Sequence, residues 1–443
     1  MTHEIRTQVA IIGAGPAGLT LAQMLHLQGI DTVVIERQSQ AHVRARIRAG
    51  VIEQTTVDLL HEIGLADRLR CEALVHNGFY IRFDRTTHHL DFHRHLDRHA
   101  FVYGQSELVA DLIDARHATG RPLHFEATDV SVHDIGTDAP FVEFVVDGRA
   151  HRIRADFVAG CDGFHGICRQ ALDPDRTTVA NRTYPFAWLG ILARTTPVTD
   201  EGMYCAHPDG LSVHSMRGPH LTRQYLQVPA HTDLGTWSDE QIWRELRRRS
   251  AADDHPELET GEIIERSLAP LRSVVTDPMQ QGALFLLGDA AHIVPPTGAK
   301  GLNLAISDAC VLSHGLGHYY ATGDHTALDR YSETALPRVW QAQAFSWNLT
   351  TTLHRLGDDG FDWHLRHARL TRWTSSVHEE RALGEVYLGL PFPTPWRPAQ
   401  RRAHDPPPDC RMSIGEANLT DRVSSLRASR TDDNRTLTDR RTV

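Results

Sequence analysis

A chain of 443 residues, 41% hydrophobic and 23% charged, has room for two or three domains and the composition of an ordinary globular protein. Its formal net charge of −10 argues against nonspecific nucleic-acid binding. No apolar run approaches the roughly 18 residues of a membrane span. The polar stretch from Met1 to Gln8 leads directly into a strand, so no signal peptide is expected. Six dispersed cysteines without CxxC spacing read as reduced thiols of a cytoplasmic protein.

The first element is the apolar run Val9–Ile12, which ends in Gly13-Ala14-Gly15-Pro16-Ala17-Gly18. A helical pattern follows through Leu19, Leu21, Leu25 and Leu27, and Asp31–Glu36 reads as a second buried strand. Strand, glycine turn, helix, strand and acid together form a dinucleotide-binding unit. Gly13 permits the tight turn, Gly15 lets a pyrophosphate approach the backbone, and Gly18 lets helix and strand pack closely. The helix N-terminus faces the phosphates. Glu36, 18 residues beyond Gly18, is placed to accept a ribose hydroxyl. This pattern alone does not separate FAD from NAD(P).

Next comes a histidine-dense stretch of His88, His89, His93, His95 and His99, with Asp91 and Asp97 among them. His93 and His95 could share a strand face and hold a metal. A polar, partly exposed hairpin in a His-rich protein is the preferred reading. Phe157–Gly163 is a strand running into the Asp162-Gly163 turn, with Arg169 beyond it. From about Tyr184 to Pro229 apolar and polar residues alternate as in antiparallel strands, and Asp239–Ser250 is helical in pattern. Leu284–Leu287 is another buried strand, leading into Gly288-Asp289. The following loop, through Pro295-Pro296-Thr297-Gly298-Ala299-Lys300-Gly301-Leu302-Asn303, contains the only lysine of the chain among 46 basic residues. A compact ammonium there is not interchangeable with a guanidinium. Helical patterns run from Leu302 to about Leu370. Beyond Pro391, proline gives way to a polar Arg-, Asp-, Ser- and Thr-rich stretch. Its composition predicts disorder over residues 397–443.

Three motifs now stand in order: Gly13–Gly18 with Glu36, Asp162-Gly163, and Gly288-Asp289. That order resembles the FAD-dependent aromatic hydroxylases. The strings Arg46–Val51, Val102–Gln105, Ala159–Gly166 and Gly288–Asn303 narrow the resemblance to the 4-hydroxybenzoate 3-monooxygenase family, over about residues 5–392. The fold it implies is mixed α/β (α+β): a Rossmann-like FAD-binding domain, an antiparallel-sheet substrate domain and C-terminal helices. The expected boundaries are 1–180 and 276–350 for the FAD-binding domain, 181–275 for the substrate domain and 351–396 for the helical region.

The resemblance also assigns residues. Gly13, Gly15, Gly18, Glu36, Arg37 and Arg46 would contact FAD, as would Arg48, Gln105, Asp162 and Asp289. Gly298, Lys300, Leu302 and Asn303 would line the flavin loop, with Lys300 adding to the helix dipole that stabilises the reduced ring. Arg223 matches an arginine linked to flavin movement. Ser215, Arg217 and Tyr225 match the residues that hold a benzoate carboxylate, a task that suits a guanidinium and two hydroxyls. Tyr204 matches the tyrosine bonded to the phenol oxygen, Tyr387 its relay partner and His76 the solvent end of the relay. Pro296 would supply a carbonyl near the phenol.

The implied activity is hydroxylation of 4-hydroxybenzoate ortho to its phenol, giving 3,4-dihydroxybenzoate through a C4a-hydroperoxyflavin. NAD(P)H and O₂ would be co-substrates, and no second GxGxxG unit for the nicotinamide is visible. Neither a nucleic-acid nor a membrane partner is expected, and the assembly expected is a homodimer. Three positions depart from the family: Gly202 replaces a larger aliphatic residue, Ala206 an asparagine, and His42 an aromatic residue common in NADPH-selective members. A ring-substituted substrate such as 3-amino-4-hydroxybenzoate is therefore an alternative. A halogenase would need a further lysine away from the dinucleotide loops. A non-catalytic flavin-binding sensor is the alternative from a different class.

Overall fold

The computed structural model describes residues 2–46, 50–357 and 360–396. Arg48 and the expected disorder of 397–443 lie outside the described residues.

The fold is mixed α/β and is built around two large sheets. The first has six strands in the order Gln280–Gln281, Leu284–Leu286, Phe157–Gly160, Val9–Ile12, Thr32–Ile35 and Leu123–His124. All neighbours pair in parallel except the first two, which pair antiparallel. Val9–Ile12 and Thr32–Ile35 are buried at every position, as strands covered on both faces require. Helix Pro16–Leu27 begins immediately after the first glycine turn and packs on helix Gly301–Thr322. Leu19, Leu21, Met24 and Leu25 are within 1% of full burial and join the largest core cluster.

The second sheet has eight strands in the order His292–Ile293, Ile263–Asp277, Thr178–Ala193, Leu221–Pro229, Ser212–Gly218, Met203–Cys205, Gly78–Phe83 and Thr86–Asp91. It is antiparallel apart from the pairing of Met203–Cys205 with Gly78–Phe83. One aromatic core cluster includes Phe79, Phe92, Tyr204, Tyr387 and residues of the C-terminal helices Tyr331–Leu353, Gly360–Ser375 and Val377–Tyr387. Helix Asp239–Arg249, capped by a reciprocal Ser238–Gln241 box, buries Ile242 and Leu246 in another cluster. A three-stranded sheet joins Val51–Glu53, Ala100–Val102 and Leu74–His76. The segment from Gly288 to Gly301 returns beside the first sheet, because the strand before it, Leu284–Leu286, pairs with Phe157–Gly160.

Candidate active site

Gly13 has φ +110°, and a Cβ there would lie 2.3 Å from the Cys161 carbonyl oxygen. A Cβ on Gly18 would lie 2.0 Å from the Gly13 carbonyl oxygen. Both glycines are therefore required by the turn itself. Around Gly15, by contrast, no atom comes within 4 Å of an added Cβ, and this residue caps helix Pro16–Leu27 without any side-chain acceptor. The helix N-terminus consequently offers unclaimed N–H groups beside open space, a cradle that fits a pyrophosphate. Glu36 ends the next strand, and its carboxylate accepts from Ala14 N–H and Gln38 N–H, both at 2.8 Å. Each of its oxygens keeps a lone pair, so a ribose hydroxyl can still be accepted.

The other expected FAD contacts are spread over several elements. Arg37 and Arg46 are exposed, and Gln105 opens helix Gln105–Ala118. Asp162 Oδ2 accepts from Cys168 N–H at 2.9 Å, while its Oδ1 is buried without a partner. Burial holds this carboxyl above its usual range, opposed by the Cys168 N–H. Gly288 and Asp289 form a short turn, and Leu302 is half-buried at the start of helix Gly301–Thr322. That helix has no side-chain cap and no acid in its first turn, so its positive end suits an electron-rich ring. Gly298 is fully packed: a Cβ there would lie 2.6 Å from Ser346 Oγ.

Lys300 and Asn303 are placed differently from expectation. Lys300 is 3% exposed, and its Nζ donates to Glu53 Oε1 (2.8 Å), to the Val386 carbonyl (2.5 Å) and to the Tyr387 carbonyl (3.0 Å). All three of its protons are used within the protein. Asn303 Oδ1 accepts from Glu53 N–H, and its Nδ2 donates to the carbonyls of Val51 and Ala299. Both side chains lock the loop to Glu53, a residue that sequence reasoning missed. The signal was available: a lone acid in the apolar run Val51-Ile52-Glu53, in a chain whose only lysine needed a counter-charge.

Strand register brings together most of the residues expected on the substrate side. Tyr204 pairs with Val213, Val213 with Tyr225, and Ser215 with Arg223. Directly paired residues and those two apart share a face, so Tyr204, Ser215, Arg223 and Tyr225 lie on one side of the eight-stranded sheet, with Arg217 two residues beyond Ser215. Arg217 is half-buried, and its Nε is enclosed with no partner, while Nη1 donates to the Met216 carbonyl. Burial lowers its pKa, the Tyr225 hydroxyl opposes this, and Arg223 adds to it. Among the described residues no carboxylate pairs with Arg217, so the site fits an acid supplied by a ligand. Ser215 Oγ donates to the Arg223 carbonyl, and Arg223 itself is held by Glu265 (2.9 Å) and Ser267 (2.7 Å). Tyr225 packs on Trp188 with ring centroids 4.8 Å apart.

Tyr204 and Tyr387 both pack edge-on against Phe79, at 5.2 and 5.0 Å. Burial raises both hydroxyls well above the usual phenol range, and each ring lies within a cluster that is almost dry. The Tyr204 hydroxyl donates to the Thr297 carbonyl at 3.0 Å. The neighbouring Pro296 carbonyl accepts the Ala299 N–H in a tight turn, and the Pro296 ring is exposed. His76 is 2% exposed rather than solvent-facing, and its Nε2 has no partner. Burial holds its pKa below the usual imidazole value, against the charges of Glu201 and Asp200.

The model of the FAD binding domain family matches residues 6–346. The chain is 44% identical to a p-hydroxybenzoate hydroxylase of Acinetobacter baylyi over 392 residues, covering 88% of this chain and 97% of that one. A rifampicin monooxygenase of Rhodococcus hoagii is 27% identical, and the match spans 62% of its length. Among solved structures, a p-nitrophenol 4-monooxygenase from Pseudomonas putida superposes with a TM-score of 0.72 at 18% identity, covering 88% of this chain and 99% of that chain. With a p-hydroxybenzoate hydroxylase matched along nearly its whole length and the FAD-binding cradle in place, the chain belongs to the p-hydroxybenzoate hydroxylase family of FAD-dependent aromatic monooxygenases.

Proposed function

We propose that the protein hydroxylates 4-hydroxybenzoate ortho to its phenol: 4-hydroxybenzoate, O₂, NAD(P)H and a proton give 3,4-dihydroxybenzoate, NAD(P)⁺ and water. The observation that carries this is Arg217, a half-buried guanidinium with an enclosed, unpartnered Nε on the sheet that also holds Tyr204. It recognises the carboxylate, with Ser215 and Tyr225 beside it. FAD, held by the Gly13–Gly18 turn and the Gly301 helix end, supplies the redox chemistry that activates O₂.

The chain's own task is to bind, orient and deprotonate. Tyr204, kept protonated by burial, accepts a hydrogen bond from the phenol and passes on its own proton as it takes another. Tyr387 and His76 continue that path. The phenolate is the stronger nucleophile at its ortho carbon, and the dry aromatic cluster excludes water that would waste the oxidant. Purified protein loaded with FAD tests the reading through substrate-dependent consumption of NAD(P)H and O₂ with identification of the product. Binding without turnover would instead support a flavin-binding sensor.

Gly202 favours a second reading. Nothing lies within 4 Å of a Cβ added there, two residues before Tyr204. That space supports a ring-substituted substrate such as 3-amino-4-hydroxybenzoate. We place the enzyme in the cytoplasm as a homodimer. Among the described residues no helix is long and apolar enough to cross a membrane, and Trp340, Trp347, Phe361 and Leu365 are exposed on two contacting helices.

A further inference from the structure

His76 is itself buried, and its Nε2 meets no protein partner among the described residues. Glu201 and Asp200 are the acids whose charges act on it. Glu201, three residues before Tyr204, is 6% exposed. Its Oε1 accepts from the backbone N–H of Asn77, the residue after His76, at 2.5 Å. Its Oε2 pairs with His89 Nε2 at 2.9 Å. His89 lies on the outermost strand of the eight-stranded sheet, opposite Tyr80, and its side chain is about one-third exposed. A buried carboxylate is costly unless paired. In a chain that uses arginine almost throughout, the only ion-pair partner of Glu201 among the described residues is the side chain that exchanges protons near neutral pH.

The surrounding groups are consistent with transfer rather than a static bridge. Tyr80 stacks on His89 (4.5 Å) and donates its hydroxyl to Asp200. Asn77 Oδ1 pairs with His99 Nδ1 at 3.0 Å, and His99 stacks on His93. Asp91 faces His89 from the same strand pair, while His95 is held by Glu380 on the helix that carries Tyr387. Burial disfavours charge on His89, yet the Glu201 bond and the acids nearby outweigh it and its pKa is raised.

We propose that Glu201 and His89 form the outer end of the proton path, carrying the proton released through Tyr204, Tyr387 and His76 to solvent. One proton leaves the phenol oxygen at the inner end. It arrives on the Glu201–His89 pair, and one proton leaves the partly exposed imidazole to water, so charge balances as the phenolate forms. This rests on the reading above that the bound phenol is ionised by the protein.

The test follows 4-hydroxybenzoate binding to FAD-loaded enzyme by stopped-flow at the phenolate absorbance, for wild type, Glu201→Gln and His89→Gln. Phenolate formation is expected to slow by about tenfold or more in both variants, with binding affinity little changed. Added imidazole should restore the rate in both, as it would not for Tyr204→Phe. Absence of a phenolate signal in wild type overturns the functional reading itself. A wild-type signal with unaltered rates in the variants, or slowing that imidazole does not relieve, overturns the outlet alone. Should Glu201→Gln fail to fold, His89→Gln, at a partly exposed position, decides the matter by the same two criteria.

Discussion

Lys300 Nζ lies 2.8 Å from Glu53 Oε1, across 247 residues of sequence, while Arg338 Nη2 holds the other oxygen of the same carboxylate at 2.9 Å. Two buried cations thus share one buried anion. The remaining donors reach outward to one segment: Lys300 to the carbonyls of Val386 and Tyr387, Arg338 to those of Leu390 and Pro391. The cluster therefore fixes the end of the helix that carries Tyr387 against the loop that precedes helix Gly301–Thr322.

Lys300→Met should accordingly act first on stability. Removing one partner from a buried pair typically costs about 3–5 kcal/mol, and here it also frees two backbone carbonyls. We expect a clear fall in the thermal midpoint and earlier proteolysis near Tyr387. Lys300→Arg should recover little, since a guanidinium is larger than the three-acceptor socket. A midpoint equal to wild type in both variants would show that Glu53 and Arg338 suffice.

The contrast between Lys300 and the glycine turn shows what the sequence makes legible. Gly13, Gly15, Gly18 and Glu36 act within a short stretch, so spacing alone predicts the strand, turn, helix and strand that the structure contains. Alternation between Tyr184 and Pro229 likewise predicts the antiparallel strands, although Phe186–Ala193 is buried on both faces. Lys300 is singled out by composition, but its partner is chosen by tertiary packing that no local pattern encodes. The same holds for Tyr204, whose hydroxyl finds the Thr297 carbonyl 93 residues away, and for His76, which lies beside strand Ala100–Val102.

His292 and Asp308 make a pH-dependent contribution. Asp308 Oδ2 accepts from Gly288 N–H at 2.9 Å and pairs with His292 Nε2 at 2.7 Å, with both side chains almost fully buried. Burial opposes the imidazolium, but the Asp308 charge and hydrogen bond prevail and raise its pKa. A raised folded-state pKa means the stabilisation is complete below the ordinary imidazole value, roughly 6.5. It is lost as pH rises through the higher folded value. Denaturant unfolding and FAD retention measured across neutral to alkaline pH should show this loss in wild type. Asp308→Asn should be less stable at low pH and lack that slope.

Arg217→Ala should retain FAD and raise the KM for 4-hydroxybenzoate. A hydrogen bond to a charged group contributes about 1.5–3 kcal/mol, or roughly 10- to 150-fold in affinity. The flavin absorbance and the substrate titration are measured on the same sample, so loss of cofactor is distinguishable from loss of substrate binding. An unchanged KM would remove Arg217 from the site.

Tyr204→Phe should bind substrate but release H₂O₂ in place of hydroxylated product. The hydroxyl it lacks is the one that the sheet points toward the Thr297 carbonyl and that takes the phenol's proton in the proposed path. The ratio of product formed to NAD(P)H consumed measures this directly. Full coupling at the wild-type rate would place deprotonation elsewhere.

Gly202→Leu tests the open space beside Tyr204. No atom lies within 4 Å of the added Cβ, and the Gly202 carbonyl keeps its bond from Tyr80 N–H at 2.8 Å, so a side chain can be added without displacing the strand. Wild type should turn over ring-substituted 4-hydroxybenzoates comparatively well, because the missing side chain leaves room for the substituent. Filling the space should shift preference toward plain 4-hydroxybenzoate, by about 1–3 kcal/mol or 10- to 200-fold in relative kcat/KM for a substituent of methyl size. Competition between the plain and the 3-amino substrate, with both products quantified, gives that ratio in one experiment. Equal ratios for wild type and variant would mean that the space at Gly202 does not open onto the substrate ring.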